Sequence, residues 1–373
     1  MAVPRQILVI GAGVVGLAVA ARLSRAGLNV VVVEREPRVG QGISSRSSEV
    51  VHGGLYYPPD SLKAQSCVAG RQKLLQFCVE RHVRWRAIGK LIVAIDPEQE
   101  ADLSALQARA EAAGAPQLWA LESPAIAKRW SALRATAALW SPATAIVDSH
   151  GFMQQLWLEA QQAGAQGAFR HEVVAARRGP AGWQVTVQTP SDGRELLNVD
   201  CVVNAAGLAA GRVAKLAAAE GNWPTVVPVK GNYFAIRGDA PVDTLVYPLP
   251  QPGLLGLGTH LTLDLAGRAR LGPDVQYPVA EVDLAVDQER MVQCLAAAQR
   301  FLPSLRQEDL VPDYAGMRPK LAVDSWADFY LAEESAQGLA GWVNLIGIES
   351  PGLTASMDLA DRVYLLLQQA AKN

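Results

Sequence analysis

The chain has 373 residues, of which 50% are hydrophobic and 19% are charged, and its formal net charge at neutral pH is -2. This length suits two globular domains with sizeable cores. The near-neutral charge provides no basic field, which excludes a nucleic-acid-binding protein. The four cysteines are far apart and form no C-x-x-C pair. The sequence therefore indicates neither a disulfide framework nor a metal site, and a reducing compartment is expected.

The first elements are a strand, a glycine turn, a helix and a second strand. An apolar run at 7–10 predicts a buried strand that stops at Gly11, Gly13 and Gly16, and the next apolar strand ends at Glu34. In dinucleotide folds the three glycines permit a tight turn, close approach of a pyrophosphate, and close helix packing. The carboxylate binds a ribose hydroxyl. The segment predicts a dinucleotide site in a doubly wound, Rossmann-like α/β domain.

The same run resembles a signal peptide, because Arg5 precedes apolar residues and small residues occupy 18–21. Cleavage there would remove the dinucleotide turn. We therefore expect the run to belong to the mature fold and the protein to be cytoplasmic. The sequence contains no uninterrupted apolar stretch of about 18 residues, so we expect no transmembrane segment.

A long loop at 35–58 follows the second predicted strand. It is rich in serine and glycine, contains His52, and ends near Tyr56 and Tyr57. Serine and glycine are common in any loop. Loops of this length in compact domains tend to be functional, however. We predict that this loop lies along the cofactor and brings His52 towards its reactive end.

The next segments alternate between helices and strands. We predict a helix at 61–82, a strand at 88–95, and a helix that starts at Asp96 and Pro97 and ends near Gly114. Asp148 is expected to cap a further helix that continues to 163. A strand pair is expected at 171–176 and 183–189.

A second strand-to-glycine junction follows. The run CVVNAAG, at 201–207, predicts a buried strand that ends at Ala206 and Gly207 before a helix at 208–219. Ligands of doubly wound sheets lie at the carboxyl ends of the strands. Ala206 and Gly207 should therefore face the same cofactor as Gly11.

The remaining chain predicts an antiparallel sheet at 224–283, a helix at 287–301, a return to the nucleotide fold at 314–321, and a last strand and helix. Together these patterns predict two domains. The nucleotide-binding domain comprises 1–83, 141–223 and 312–373. A second α+β domain, built on the antiparallel sheet, comprises 84–140 and 224–311.

Four further motifs accompany the N-terminal pattern: SSRSSEVVHGGLYYP, VYPLPQPGLLGLGTHLT, YAGMRPKL and NLIGIESPGLTAS. Together they resemble FAD-dependent oxidoreductases of the D-amino-acid oxidase and glycine oxidase superfamily, and most closely the L-2-hydroxyglutarate dehydrogenase branch. The resemblance extends over nearly the whole chain. It implies an FAD domain built from three segments and a substrate domain built from two.

The resemblance also implies noncovalent FAD, because no cysteine matches a flavin-attachment position. By this resemblance the ADP-binding unit comprises Gly11, Gly13, Gly16, Glu34 and Arg35, and Val173 lies on the strand beside the adenine. The loop beside the flavin contains Ser45, Arg46 and Ser48, and the second phosphate-side turn contains Ala206 and Gly207. The turn under the flavin pyrimidine comprises Gly352, Leu353 and Thr354.

Arg318 matches the family arginine that binds the substrate carboxylate, a role suited to the two parallel donors of a guanidinium. Lys320 is a candidate for a second anionic group or an ordinary solvated lysine. A hydroxy-acid substrate also needs a base for its hydroxyl proton, and histidine suits that role. His52 and His260 fall inside the motifs, and either could be the base. Tyr57 and Tyr247 either bind substrate or pack.

The resemblance implies oxidation of a small L-2-hydroxy (di)carboxylic acid, such as L-2-hydroxyglutarate, by hydride transfer to flavin N5. An amino-acid or secondary-amine oxidase of the glycine oxidase type is the competing enzyme class. Two further classes are a flavin-binding redox carrier or sensor without turnover and an NAD-dependent enzyme. Oxygen, a quinone and a soluble carrier are all compatible electron acceptors.

Overall fold

The structure is a computed structural model that describes residues 6–179, 182–249, 258–279, 282–323 and 325–370. Part of the motif VYPLPQPGLLGLGTHLT, residues 250–257, lies outside these ranges. Among the described helices, none is both long and apolar enough to cross a membrane.

Strands supply most of the framework of both predicted domains. In chain order, the strands of the described residues are β1 (Gln6–Ile10), β2 (Asn29–Glu34), β3 (Val50–Val51), β4 (Trp85–Ala87), β5 (Lys90–Ala94), β6 (Trp119–Glu122), β7 (Ala137–Ser141), β8 (Ala145–Val147), β9 (Gln166–Phe169), β10 (Glu172–Gly179), β11 (Gly182–Gln188), β12 (Arg194–Val199), β13 (Cys201–Asn204), β14 (Val227–Ile236), β15 (Leu245–Pro248), β16 (Leu261–Leu263), β17 (Ala269–Leu271), β18 (Leu310–Lys320), β19 (Tyr330–Glu333) and β20 (Trp342–Ile346).

Helices cover these sheets. The α-helices of the same residues are α1 (Val14–Arg25), α2 (Leu62–Glu80), α3 (Glu100–Ala112), α4 (Ser123–Arg129), α5 (Ser149–Gln162), α6 (Ala210–Ala217), α7 (Met291–Gln299) and α8 (Gly352–Ala370).

The first sheet has six strands in the order β19-β20-β13-β1-β2-β9, and all of its pairings except β19 with β20 are parallel. Ile7 and Val9 belong to the core beside α1, α5 and α8, whereas Leu8 and Ile10 belong to the core beside α6 and the β10–β12 sheet. A strand with apolar residues on both faces must be covered on both sides. The predicted doubly wound α/β fold is confirmed.

The second large sheet has eight strands in the order β18-β14-β17-β16-β15-β5-β7-β6. Its pairings are antiparallel except for β15 with β5. Alternate residues of β5 enter two cores: Leu91 and Val93 lie in one, and Ile92 and Ala94 lie in another that includes α3. This sheet matches the predicted antiparallel sheet of a second α+β unit.

One predicted segment belongs to the other sheet. Residues 314–321 were expected to return to the nucleotide fold, but β18 pairs with β14 from Val227↔Lys320 to Ile236↔Leu310. The expectation was wrong because a local apolar and glycine pattern identifies a strand but does not specify its hydrogen-bonding partner. Arg318 and Lys320 therefore lie on an edge strand of the eight-stranded sheet.

Three further predictions concern single elements. The predicted helix at 148–163 is confirmed, with the Asp148 carboxylate accepting from the Gly151 amide at 2.9 Å. The strand β12 extends the predicted strand pair into a three-stranded sheet. The strand β4 lies in the segment predicted to belong to the second domain, but it pairs with β8 in a small sheet that also contains β3.

The start of α8 is held in place by α2. A Cβ on Gly70 would lie 2.4 Å from the carbonyl oxygen of Thr354 and 2.8 Å from the Ala355 Cα. Only a glycine therefore permits this approach of the two helices. The contact fixes the predicted flavin turn relative to α2.

Candidate cofactor and substrate site

A cavity of about 630 Å³ lies where the two large sheets meet. One side is formed by the carboxyl ends of β1, β2 and β13, at Ile10, Val33 and Ala205. The other side carries His260 and Arg318 from the region of the eight-stranded sheet. The volume falls in the range of cofactor and ligand sites, and the position is the one expected for a doubly wound fold.

In the turn after β1, glycines bring the backbone to the cavity surface. Gly11 has φ +102°, and a Cβ there would lie 2.6 Å from the Ala205 carbonyl oxygen. Gly13 is the N-cap of α1 and provides no side-chain cap. Both glycines line the cavity. Gly16 lies behind them, where a Cβ would be 2.0 Å from the Gly11 carbonyl oxygen, so its contribution is close packing.

Glu34 is the last residue of β2, lies beside this turn and lines the cavity. Its Oε2 accepts from the Ala12 amide at 2.7 Å, and its Oε1 accepts from the Glu36 amide at 2.9 Å. Each carboxylate oxygen retains a further lone pair for a ligand. Arg35 also lines the cavity, and its Nε lies 3.5 Å from the Glu36 carboxylate.

The loop after β2 follows the cavity, and Arg46 and Ser48 line it. Ser45 does not, because its hydroxyl donates to the carbonyls of Gln41 and Gly42 within the loop. Ser47 lines the cavity, and its buried hydroxyl has no hydrogen-bond partner among the described residues. A buried hydroxyl without a partner requires an explanation, and a ligand bound in this cavity would provide one.

Of the remaining predicted cofactor residues, five line the cavity and one lies behind it. Val173, Ala206, Gly207, Gly352 and Leu353 line the cavity. Thr354 is fully buried behind it; its hydroxyl accepts from the His52 amide at 3.0 Å and lies 3.3 Å from the Val50 carbonyl.

The glycine turn at the start of α1, the ribose-side carboxylate and the unpartnered hydroxyl together fit an elongated dinucleotide such as FAD.

Arg318 lies in the same cavity, half-buried, on the edge strand β18. Its Nη2 donates to the carbonyls of Asp274, at 2.7 Å, and Lys230, at 3.3 Å. Its Nε is buried and has no partner among the described residues. Two backbone acceptors thus hold Nη2, and the donors of Nε and Nη1 have no partner among the described residues.

His260 is almost fully buried in the cavity wall. Its Nδ1 lies 2.9 Å from the Gly258 carbonyl, so it donates there and leaves Nε2 as an acceptor. Its ring stacks on Tyr247, with 3.8 Å between centroids. Burial, together with the charges of Lys90 and Arg318, lowers the pKa of His260 to about 3, although the hydrogen bond to Gly258 opposes the shift. His260 is therefore a neutral hydrogen-bond acceptor.

His52 follows β3 and lies beside the start of α8. Its backbone amide bonds Thr354, and its Nε2 lies 3.4 Å from the Ser350 hydroxyl. Ser350 also hydrogen-bonds Tyr57, whose pKa burial raises well above 10. Burial, followed by the charges of Lys90 and His260, lowers the pKa of His52 well below 6.5. His52, Ser350 and Tyr57 thus form a hydrogen-bonded row of neutral groups along the cavity.

Lys320 is not a solvated surface lysine. Its Nζ lies 3.1 Å from both carboxylate oxygens of Glu349, and Lys63 contacts the same carboxylate at 3.0 Å. Burial opposes ionisation of Glu349, but the two lysines outweigh it and the pKa of Glu349 is lowered. All three residues line the cavity. Two cations share one anion, which leaves a net positive charge.

Several residues of the site were not selected from the sequence. Ser44 accepts from the amide of Val14 at the start of α1 at 3.0 Å, and Lys63 and Tyr233 line the cavity. His171 also lines it. Ser44 lies within the serine-rich loop that was selected, whereas Lys63 occurs on a helix that carries no motif, so only its position in the fold identifies it.

Comparisons with known proteins agree with this site. A family model described as FAD dependent oxidoreductase matches residues 6–363. The chain is 35% identical to a mitochondrial L-2-hydroxyglutarate dehydrogenase of Arabidopsis thaliana, with 95% of this chain and 82% of the relative covered. It is 28% identical to the Caenorhabditis elegans protein of the same description, with 96% and 92% covered.

A solved structure of L-alpha-glycerophosphate oxidase from Mycoplasma pneumoniae with FAD bound matches with a TM-score of 0.88 and 25% identity, covering 98% of this chain and 95% of that one. The chain belongs to the FAD dependent oxidoreductase family. It is an enzyme, and FAD is its cofactor. The predicted family and cofactor are confirmed.

The contacts of Glu34 generate a prediction about cofactor affinity. Glu34→Ala removes the acceptor of the Ala12 and Glu36 amides as well as the ribose-side carboxylate. Charge-assisted hydrogen bonds contribute about 1.5–3 kcal/mol, so we expect the Kd for FAD to rise by about 10- to 150-fold. The measurement is fluorescence titration of deflavinated protein with FAD. Glu100→Ala, an exposed carboxylate on α3, is the control, and an unchanged Kd for Glu34→Ala would contradict the assignment.

Proposed function

We propose that the protein oxidises an L-2-hydroxy dicarboxylic acid of the L-2-hydroxyglutarate type. The carrying observation is that Arg318 and the Lys63–Glu349–Lys320 cluster line one cavity, which offers two separate positive sites to one substrate. The relatives from A. thaliana and C. elegans, described as L-2-hydroxyglutarate dehydrogenases, support this choice. Noncovalently bound FAD would supply N5 as the acceptor of the hydride that leaves the substrate carbon.

Arg318 is proposed to bind the carboxylate next to the reacting carbon. The carbonyls of Asp274 and Lys230 hold its Nη2, and its Nε has no partner among the described residues. A guanidinium held in this way loses little conformational freedom when it binds a carboxylate.

Lys320 is proposed to bind the second carboxylate. Residues two positions apart on a strand point to the same face, about 6.6 Å apart. Arg318 and Lys320 stand in this relation on β18, and their spacing suits the two ends of an extended dicarboxylate. The pairing of Lys320 with Glu349 orients its ammonium, while Lys63 supplies the second positive charge that a carboxylate can neutralise. A substrate with a single carboxylate, such as glycine, would leave this charge unused.

His52 is proposed as the base that takes the hydroxyl proton. Its amide is fixed by Thr354 at the flavin turn, and its ring makes only a long contact with Ser350. Its lowered pKa keeps it deprotonated at neutral pH. His260 instead donates from Nδ1 to a carbonyl and stacks on Tyr247, so its ring is held as part of the cavity wall. We propose that His260 and Tyr57 hydrogen-bond the substrate.

We further propose a division into two domains, with the last boundary at the end of β18. The FAD domain then comprises 1–87, which keeps β4 with its partner β8, together with 141–223 and 321–373; the substrate domain comprises the segments between them. A cytoplasmic location is also proposed. It is supported by the four cysteines, all of which are buried and none of which forms a disulfide in the described part of the chain.

The first test is an anaerobic absorbance titration of the FAD-loaded enzyme. We expect L-2-hydroxyglutarate to bleach the oxidised flavin band, and the D isomer, L-malate and glycine to bleach it more slowly or not at all. Stereochemistry, chain length and the competing amine chemistry are thereby compared at once. Bleaching by glycine without bleaching by hydroxy acids would support an amine oxidase, whereas an unchanged band with every compound would contradict both.

A second prediction concerns Arg318. Arg318→Ala should lower the rate of flavin reduction at limiting L-2-hydroxyglutarate by a factor consistent with about 2–5 kcal/mol, as for loss of one partner of a buried charge pair. Arg318→Lys keeps the charge but not the planar fork, so it should fall between wild type and alanine. Anaerobic rapid mixing measures both. An undiminished rate in Arg318→Ala would refute the carboxylate assignment.

A third prediction separates the two histidines. His52→Gln should lower the rate of flavin reduction by about 10²–10⁴-fold, the usual contribution of a general base. His260→Gln should lower it by less than tenfold, because glutamine can still donate to Gly258. Since the pKa of His52 lies below 6.5, the wild-type rate at saturating substrate should fall only below that pH and remain constant above it. The reverse order of the two variants would assign the base to His260.

A further inference from the structure

Lys90, the first residue of β5, is 0% exposed. Its Nζ has no hydrogen-bond partner, and no ion pair involves it, among the residues that the structure describes. Burial of an ammonium without a counterion is costly, and such groups are concentrated at functional sites. No step of the proposed reaction uses Lys90.

The surroundings of Lys90 connect it to the cavity. Its Nζ lies between two aromatic rings, 4.8 Å from the centroid of Tyr56 and 4.7 Å from that of Tyr247. Both tyrosines line the cavity, and their hydroxyls are also buried without a partner among the described residues. Tyr247 stacks on His260. Lys90 is therefore directly behind the wall that Tyr56, Tyr247 and His260 form.

We propose that Lys90 is a positioning residue for the substrate: through the Tyr56 and Tyr247 rings, its buried ammonium gives this wall a positive charge that a bound dicarboxylate compensates. The inference rests on the proposed function, since it requires an anionic substrate. The two π faces replace part of the lost hydration of the ammonium. The bound dicarboxylate then supplies the negative charge that balances the ammonium.

The charge of the wall depends on the titratable groups that face Lys90. They are Cys67 from α2, His52 and Tyr56 from the loop after β2, and Tyr247 and His260 from the substrate side. Burial raises the pKa of Cys67 to about 12 and that of both tyrosines above 10, and it lowers the pKa of both histidines below 6.5.

Burial also lowers the pKa of Lys90 itself to about 7, with Cys67 opposing the shift. Between about pH 6 and pH 9, Lys90 is therefore the group of this cluster that changes charge. A bound anion favours the charged ammonium and raises its pKa, so anion binding must weaken as pH rises through the pKa of the free enzyme. A shift of one unit corresponds to a tenfold change in affinity.

The experiment titrates the FAD-loaded enzyme with glutarate, a dicarboxylate that has no hydroxyl to oxidise, and follows the flavin absorbance. For wild type we expect the Kd to rise about tenfold from pH 6 to pH 9. Lys90→Met should bind about tenfold more weakly than wild type at pH 6 and show no pH dependence. Lys215→Met, an exposed lysine on α6, should retain the wild-type profile.

Lys90→Arg is a second variant whose charge persists at pH 9, so its Kd should remain near the low-pH value throughout. If Lys90→Met does not fold, this variant and the pH dependence of the wild-type Kd still test the role of Lys90. A wild-type Kd that is equal at pH 6 and pH 9, or no glutarate binding at either pH, would overturn the inference. Failure of L-2-hydroxyglutarate to bleach the flavin would instead refute the proposed function, which distinguishes the two failures.

Discussion

The pairing of β18 with β14 is the constraint on which the substrate side of the cavity depends. This pairing extends from Leu310 to Lys320 and ends at the residues that carry the charged side chains. It brings the carbonyl of Lys230 to within 3.3 Å of Arg318 Nη2, and the neighbouring chain at Asp274 provides the second acceptor. The Asp274 carboxylate accepts in turn from the Asn232 amide at 2.7 Å. The guanidinium is therefore oriented by backbone that the sheet itself fixes.

The cofactor side of the site was largely predictable from the sequence, and the substrate side was not. Gly11, Gly13 and Glu34 are consecutive parts of one strand-turn-helix-strand unit, so local spacing alone determines where they meet. Gly16 contributes by packing, as the spacing implied. By contrast, the partner of β18 lies about 80 residues away along the chain, and local patterns do not encode strand pairing at that distance.

The residues that the sequence did not reveal also depend on distant contacts. Lys63 and Lys90 occur in an ordinary helix and an ordinary strand, and neither has a motif around it. Their chemistry arises from what the fold places beside them: a carboxylate shared with Lys320 in one case, and two tyrosine rings in the other. Ser45 and Thr354 show the converse, since both lie within motifs but hold the loop and the His52 amide rather than line the cavity.

The charges around the cavity meet two demands at once. A dianionic substrate is bound best by cations, and Arg318, Lys320 with Lys63, and the wall in front of Lys90 provide them. A general base must be unprotonated before the reaction, and the same cations disfavour a second positive charge nearby. Burial is the main cause of the lowered pKa of His52 and His260; the Lys90 charge lowers both further, and Arg318 acts on His260 as well. The positive charge that attracts the substrate therefore adds to burial in keeping the histidines neutral, at the expense of their basicity. A bound dicarboxylate would partly cancel that field and raise the pKa of the base when the proton must be taken.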